Sequence, residues 1–77
     1  MIIQVQFYGL LAELAGVRAK TYMDVSSFND LRLRIQDDFP EIIHYNYRYC
    51  QNGTFIIEEA TLADGDVISL LPPFYGG

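Results

Sequence analysis

Ile3, Val5 and Phe7 fall on one side of an extended chain, and Gln4 and Gln6 fall on the other. This two-residue period returns over residues 17–25. Between the strand-like stretches, only Phe28 to Phe39 repeats at sustained helical spacing. Alternation is the pattern of a half-buried strand, and the three-and-four spacing is that of an amphipathic helix. The order of these periods restricts the chain to a few strands packed on one principal helix. With 77 residues there is room for one small domain, which buries only about 60% of the surface its unfolded chain exposes. One modest core is possible, and an enclosed reaction chamber is not.

After the first strand, residues 2–7, the period changes. Leu10, Leu11 and Leu14 follow Phe7 at spacings of three and four, which predicts a short helix ending at Gly16, where glycine readily adopts a left-handed cap. In the second strand Val17, Ala19, Thr21, Met23 and Val25 oppose Arg18, Lys20, Tyr22 and Asp24. Strand, short link and strand suggest an antiparallel pair. Ser26 or Ser27 then caps the main helix, with Asp30 three residues after Ser27 completing a near capping box. Phe28, Leu31, Ile35 and Phe39 form its apolar stripe, and Leu33 lies off it. Pro40 stops the helix, because the residue before a proline resists helical backbone angles.

A third strand is expected over residues 44–51, with Tyr45, Tyr47 and Tyr49 on one face. Asn52-Gly53 is a strong hairpin signal, and Thr54 to Ile57 is the returning strand. Asp64-Gly65-Asp66 is a second turn, and Val67 to Leu71 is the last strand. The sum is an α+β domain: a mixed five-strand sheet, one main helix, and a short helix after the first strand.

Ten acidic residues against five basic ones give a formal charge of −5. Nucleic acid and anionic membrane surfaces are poor partners for such a chain, since both are bound through Lys and Arg. A partner with a basic face suits it better. A single cysteine, Cys50, excludes an internal disulfide and fits a reducing compartment. No apolar run approaches the roughly 18 residues of a membrane helix. The start, Met1-Ile2-Ile3-Gln4, has neither a basic region nor a signal-peptide core. The expected location is cytoplasmic.

Side-chain chemistry is sparse. A His44–Cys50 site would need residues six apart on one strand to meet across roughly 20 Å, so a surface histidine and a buried thiol are the better reading. Asn52-Gly53-Thr54 matches a glycosylation acceptor but reads as a turn. The tyrosines lack the surrounding positive charge of a base-stacking platform, since only Arg48 is near, and an aromatic ladder on the sheet accounts for them. Asp37 and Asp38 are neighbours on a helix and do not face each other. They read as a solvated acidic end, with docking to a basic partner as the minority view. No phosphate loop, catalytic triad or metal motif is present, so an enzyme acting alone is not expected.

What remains is the C-terminus, Pro72-Pro73-Phe74-Tyr75-Gly76-Gly77. Prolines cannot donate to a sheet ladder and hold the backbone extended. The last strand should therefore stop at Leu71 or Pro72, leaving 72–77 as a projecting tail on a single domain spanning 1–77. Gly76 and Gly77 carry no side chains and can enter a channel too narrow for a Cβ. The terminal carboxylate is a poor electrophile until joined to adenylate as a mixed anhydride, which sulfur or nitrogen nucleophiles can attack. The competing reading is an inert end that happens to be Gly-Gly.

Over essentially its whole length the chain resembles the family of small, sulfur-carrying subunits of molybdopterin synthase. Phe7-Tyr8-Gly9-Leu10-Leu11-Ala12-Glu13-Leu14-Ala15-Gly16 looks like the family's strand-to-helix segment. Phe28, Leu31, Ile35 and Phe39-Pro40 match its main helix. Asp64-Gly65-Asp66 through Pro72-Pro73 and Gly76-Gly77 match its closing signature. The resemblance implies a β-grasp, ubiquitin-like fold. It also implies that an ATP-dependent activating enzyme of the ubiquitin-activating type adenylates the Gly77 carboxylate and that a sulfur donor protein converts it to a thiocarboxylate. The large synthase subunit, in a heterotetramer, then uses it to place sulfur on cyclic pyranopterin monophosphate. No cofactor is bound tightly; the acyl-adenylate and thiocarboxylate are transient states of the tail. The residue that bears the catalytic sulfur would be Gly77, with Gly76 behind it and Pro73, Phe74 and Tyr75 at the channel entry.

The family pattern puts Ile68 and Leu70 inward, so Val67, Ser69 and Leu71 face the other way. If the first and last strands are neighbours, Tyr8 and Leu71 form an exposed apolar patch that Phe55 can join, and this patch is the expected partner interface. Two residues depart from the family pattern. Tyr75 stands where a small residue is usual, and Ala12 stands where arginine is common. Three alternatives stay open: a sulfur carrier for thiamine thiazole formation, a protein modifier conjugated through Gly77, and an interaction module with an inert tail.

Overall fold

The computed structural model describes residues 1–56 and 59–73. Its strands are β1 (Ile3–Phe7), β2 (Ala19–Tyr22), β3 (Arg48–Gln51), β4 (Thr54–Phe55) and β5 (Val67–Leu71). Its α-helices are α1 (Leu10–Ala15) and α2 (Phe28–Asp38), and a 3-10 helix spans Pro40–His44. The five strands form one mixed sheet in the order β2-β1-β5-β3-β4. The first and last strands lie parallel at its centre, and the remaining pairs are antiparallel. The expected α+β architecture is the observed one, a β-grasp fold.

One face of the sheet carries the core. Ile3 and Val5 on β1, Ile68 and Leu70 on β5, and Leu31, Ile35 and Ile42 opposite them are all fully buried. Each such side chain contributes about 1.5–3 kcal/mol relative to an exposed one. Helix α2 supplies Phe28, Leu31 and Ile35, the stripe its spacing predicts. Its start is capped by side chains on both sides. Ser27 Oγ accepts from the Asp30 N–H at 3.0 Å, and Asp30 Oδ2 accepts from the Ser26 N–H at 3.0 Å. Leu33 is exposed, and nothing in the structure explains it. Gly16 ends α1 in the left-handed region as expected. Leu11, not Leu10, is the α1 residue that is fully covered.

Three expectations need correction. The second strand is shorter than residues 17–25, and its apolar parity is the outward one. The antiparallel register pairs Tyr22 with inward Ile3 and Lys20 with inward Val5, and directly opposed residues share a face. Tyr22 is therefore buried, while Val17 and Met23 are exposed. Asp38 closes this arrangement: Lys20 Nζ donates to its carboxylate at 2.6 Å and Tyr22 Oη at 2.7 Å. Asp38 is thus a structural acceptor and not a free solvated end. Burial, with the Asp38 hydrogen bond, pushes the Tyr22 hydroxyl pKa up, and Lys20 with Tyr22 holds the Asp38 carboxyl below its ordinary value.

The third strand does not begin at residue 44. Pro40 stops α2 but opens a 3-10 turn that swings Ile42 into the core, so the chain becomes extended only at Arg48. His44 lies in that turn and Tyr45 beyond it, both exposed, and the ladder narrows to Tyr47 and Tyr49. Their hydroxyls are 3.4 Å apart, and Tyr49 meets Phe28 edge-on with centroids 5.1 Å apart. Burial raises the Tyr49 pKa. The hairpin forms at Asn52-Gly53 with φ 48° and 90°, the paired positive values of a type I′ turn. The returning strand is Thr54–Phe55, and Ile57 lies outside the described residues.

Candidate functional site

Among the described residues the helical elements pack on one face of the sheet, and the opposite face holds the residues picked out from sequence. Parallel pairing aligns Phe7 with Leu70, both inward. The next residues, Tyr8 and Leu71, therefore lie side by side at the end of the central strands. Antiparallel pairing sets Arg48 opposite Leu71, Cys50 opposite Ser69, and Phe55 opposite Cys50. One outward row thus runs from Ser69 through Cys50 to Phe55, and Leu71 and Arg48 lie beside it toward the chain end. Tyr8, Leu71 and Phe55 share this face. Tyr8 Oη donates to Gln6 Oε1 at 2.8 Å, and the Tyr8 N–H donates to the Leu70 carbonyl at 3.1 Å. Leu71 and Phe55 are half-buried. Cys50 is buried, as expected, but on this outward side and outside the main core cluster.

Sequence reasoning passed over two features of this face. The first is Arg48, whose guanidinium lies 4.4 Å from the Phe55 ring centroid. Only the strand register reveals that Arg48 and Leu71 are partners. The second is the root of the tail. Strand β5 ends at Leu71 as predicted, but Pro72 is buried rather than projecting, and Pro73 is exposed in a turn. Pro72 packs on Gly9, where a side chain's Cβ would stand 3.0 Å from Pro72 Cγ. Gly9 has φ 58° and ψ −133°, a combination open to glycine and strained for other residues. Beside it, Gln6 to Gly9, Ala12, Glu13 and Gly16 to Ala19 line an open cleft of about 750 Å³. Phe74, Tyr75, Gly76 and Gly77, the tail positions expected to do the chemistry, lie outside the described residues.

The loop before β5 is organised around Asp66. Its carboxylate accepts from the Ala63 N–H at 2.8 Å, Gln51 Nε2 at 2.9 Å and Asn52 Nδ2 at 3.0 Å. The Asn52 side chain, with these other donors, holds the Asp66 carboxyl below its ordinary value. Asn52 Oδ1 in turn accepts from the Val67 N–H at 2.9 Å. The Asp64-Gly65-Asp66 signature and the Asn52-Gly53 hairpin are therefore one hydrogen-bonded unit that fixes the start of β5. Among the described residues no group of three His, Cys, Asp or Glu side chains could hold a metal ion. No helix there is long and apolar enough to cross a membrane.

A mixed sheet with parallel central strands and one long helix packed across it define a ubiquitin-like β-grasp protein. The ThiS family model matches residues 5–77, and the chain belongs to the ThiS family. No curated protein sequence matches it. Among solved structures it is similar to a subunit in the complex of subunits 1 and 2 of molybdopterin-converting factor from Helicobacter pylori, with 29% identity, TM-score 0.76 and all of both chains covered. It is also similar in fold to a putative molybdopterin converting factor subunit 1 from Pyrococcus furiosus, with TM-score 0.82 and 21% identity over 95% of this chain and 98% of that one. SAMP1 from Haloferax volcanii shares the fold at TM-score 0.79 and 22% identity, with both chains fully covered.

Proposed function

We propose that this chain is the sulfur-carrying small subunit of a molybdopterin synthase. The observation that carries the reading is the full-length likeness, at 29% identity, to a subunit of the two-subunit molybdopterin-converting factor. The Pro-Pro-Phe-Tyr-Gly-Gly end directly after a central strand supports it. In this reading an ATP-dependent enzyme joins AMP to the Gly77 carboxylate and releases pyrophosphate. Sulfide-level sulfur delivered by a donor protein then attacks the mixed anhydride, AMP leaves, and Gly77 ends as a thiocarboxylate. A large subunit takes in the tail, and two such transfers, each returning Gly77 to its carboxylate, place the two sulfurs of the dithiolene on cyclic pyranopterin monophosphate. Tyr8, Leu71 and Phe55 form the contact that presents the tail, and the large subunit supplies the catalytic side chains. The protein works in the cytoplasm, where the activating enzyme, ATP and a reduced sulfur source meet.

The domain's part is mechanical. The Asp66 unit fixes where β5 starts, β5 runs through the middle of the sheet, and Pro72 on Gly9 fixes where the chain leaves it. A central strand gives the residues that follow it a fixed point of departure, and positioning of that kind is what a receiving active site needs.

The test is made in cells lacking this chain. Restoring the full sequence should restore molybdopterin and leave thiamine levels unchanged, and the purified protein should show one terminal oxygen exchanged for sulfur by intact mass. A chain without Gly77 should fold and restore nothing. Molybdopterin synthesis by the truncated chain refutes the carrier role. Loss of thiamine alone points to the thiazole pathway, and higher-mass adducts that vanish with Gly77 point to a protein modifier.

A further inference from the structure

Among the described residues the five strands contain no acidic residue and only two basic ones, Lys20 and Arg48. Lys20 is opposite inward Val5 and is tied to Asp38 on the helix side of the sheet. Arg48 is therefore the only charged residue of these strands on the outward face. Its neighbours there are Leu71, Cys50, Ser69 and Phe55, and the next strands add Gln4, Gln6, Ala19 and Thr21. The ion pairs among the described residues are Lys20–Asp38 and Arg34–Asp30, and Arg48 takes part in neither.

We infer that the partner which covers this face carries a carboxylate side chain that pairs with Arg48. The inference rests on the docking reading given above and adds the partner's chemistry. Arg48 faces Leu71, one residue before Pro72, so a protein that seats on Leu71 and Phe55 to receive the tail also strips water from Arg48. A guanidinium has only donors to offer, and removing it from water without a partner is costly. The Phe55 ring restrains it through a cation–π contact and neutralises none of its charge. A carboxylate satisfies it best, because two parallel N–H···O bonds match the guanidinium fork. This local demand is opposite in sign to the formal charge of −5, which favours a basic partner overall. The two are compatible: the whole-molecule field steers encounter, and the pair at Arg48 sets register and discriminates among partners.

The experiment is calorimetric titration of the full chain against the molybdopterin synthase large subunit of the same organism, with thermal melting as the folding control. Losing a desolvated charge pair should cost roughly ten- to a hundredfold in affinity for Arg48→Leu, and Arg48→Glu should cost more. Arg48→Lys should recover part of the loss. One Asp or Glu of the large subunit, changed to Arg, should restore binding to Arg48→Glu. Binding of Arg48→Glu within twofold of the unaltered chain overturns the inference, as does failure of every acid-to-arginine change to rescue it. If Leu71→Arg abolishes binding while Arg48→Glu does not, the docking face stands and the carboxylate contact falls. If the unaltered chain does not bind the large subunit, the docking reading and the inference fall together.

Discussion

Gly9→Ala tests whether the root of the tail is set by one close contact. Two costs add at this position. The backbone sits at φ 58° and ψ −133°, where a side chain costs about 1–3 kcal/mol. The new Cβ would also stand 3.0 Å from Pro72 Cγ, and the proline ring cannot swing aside as a flexible side chain can. Relief requires the Gly9 backbone or Pro72 to shift by a few tenths of an ångström, adding about 1 kcal/mol by the scale of overpacking penalties. The total is about 2–4 kcal/mol, which for a domain of this size lowers the melting temperature by about 8–30 °C. Gly65→Ala is the control, with φ 86° and nothing within 4 Å of its Cβ; it isolates the backbone cost. Pro72→Ala removes the obstructing Cγ, so Gly9→Ala combined with Pro72→Ala should be less damaging than the sum of the two alone. Melting followed by circular dichroism supplies all four values. If Gly9→Ala costs no more than Gly65→Ala, or if Gly9→Ala and Pro72→Ala are additive, the Pro72 contact does not hold the tail root.

Three further outcomes follow from the same geometry. Asp66, Asp30 and Asp38 are held below the ordinary carboxylate range by their donors. Their stabilisation is therefore complete above the unfolded-state value, at about pH 4, and is lost as pH falls further through the folded-state values. Urea midpoints measured from pH 6 down to pH 2 should fall along this path, and Asp66→Asn should flatten it; an unchanged slope would remove Asp66 from the account. Ser27→Ala should cost about 1 kcal/mol by removing the acceptor for the Asp30 N–H, read as a lower urea midpoint at constant m-value. Removing Gly77 should shift the melting temperature by less than about 2 °C, since a single chain-end glycine has no side chain to pack; a larger drop would mean that the terminus is part of the packed domain.

The order and kind of the strands and α-helices were legible in the residues alone, because hydrophobic period and turn chemistry are local. Alternation at Ile3, Val5 and Phe7, the Ser27 cap, the stripe from Phe28 to Ile35, the Asn52-Gly53 hairpin and the strand from Val67 to Leu71 all depend on residues close together in the chain. Resemblance to a known family supplied the expected role of the tail. Long-range packing settled every choice that depends on a distant partner. Strand β2 has its apolar parity outward because Ile3 and Val5, across the ladder, dictate its register. Pro40 leads into a 3-10 turn and not a strand because the core has a place for Ile42. Asp38 finds Lys20 and Tyr22 from another element. Arg48 stands beside Leu71, and Gly9 against Pro72, only because of where the last strand lies, between β1 and β3. A period states which side of an element is apolar, but the sheet's pairing order determines what that side meets. That order is fixed by long-range burial no local stretch encodes.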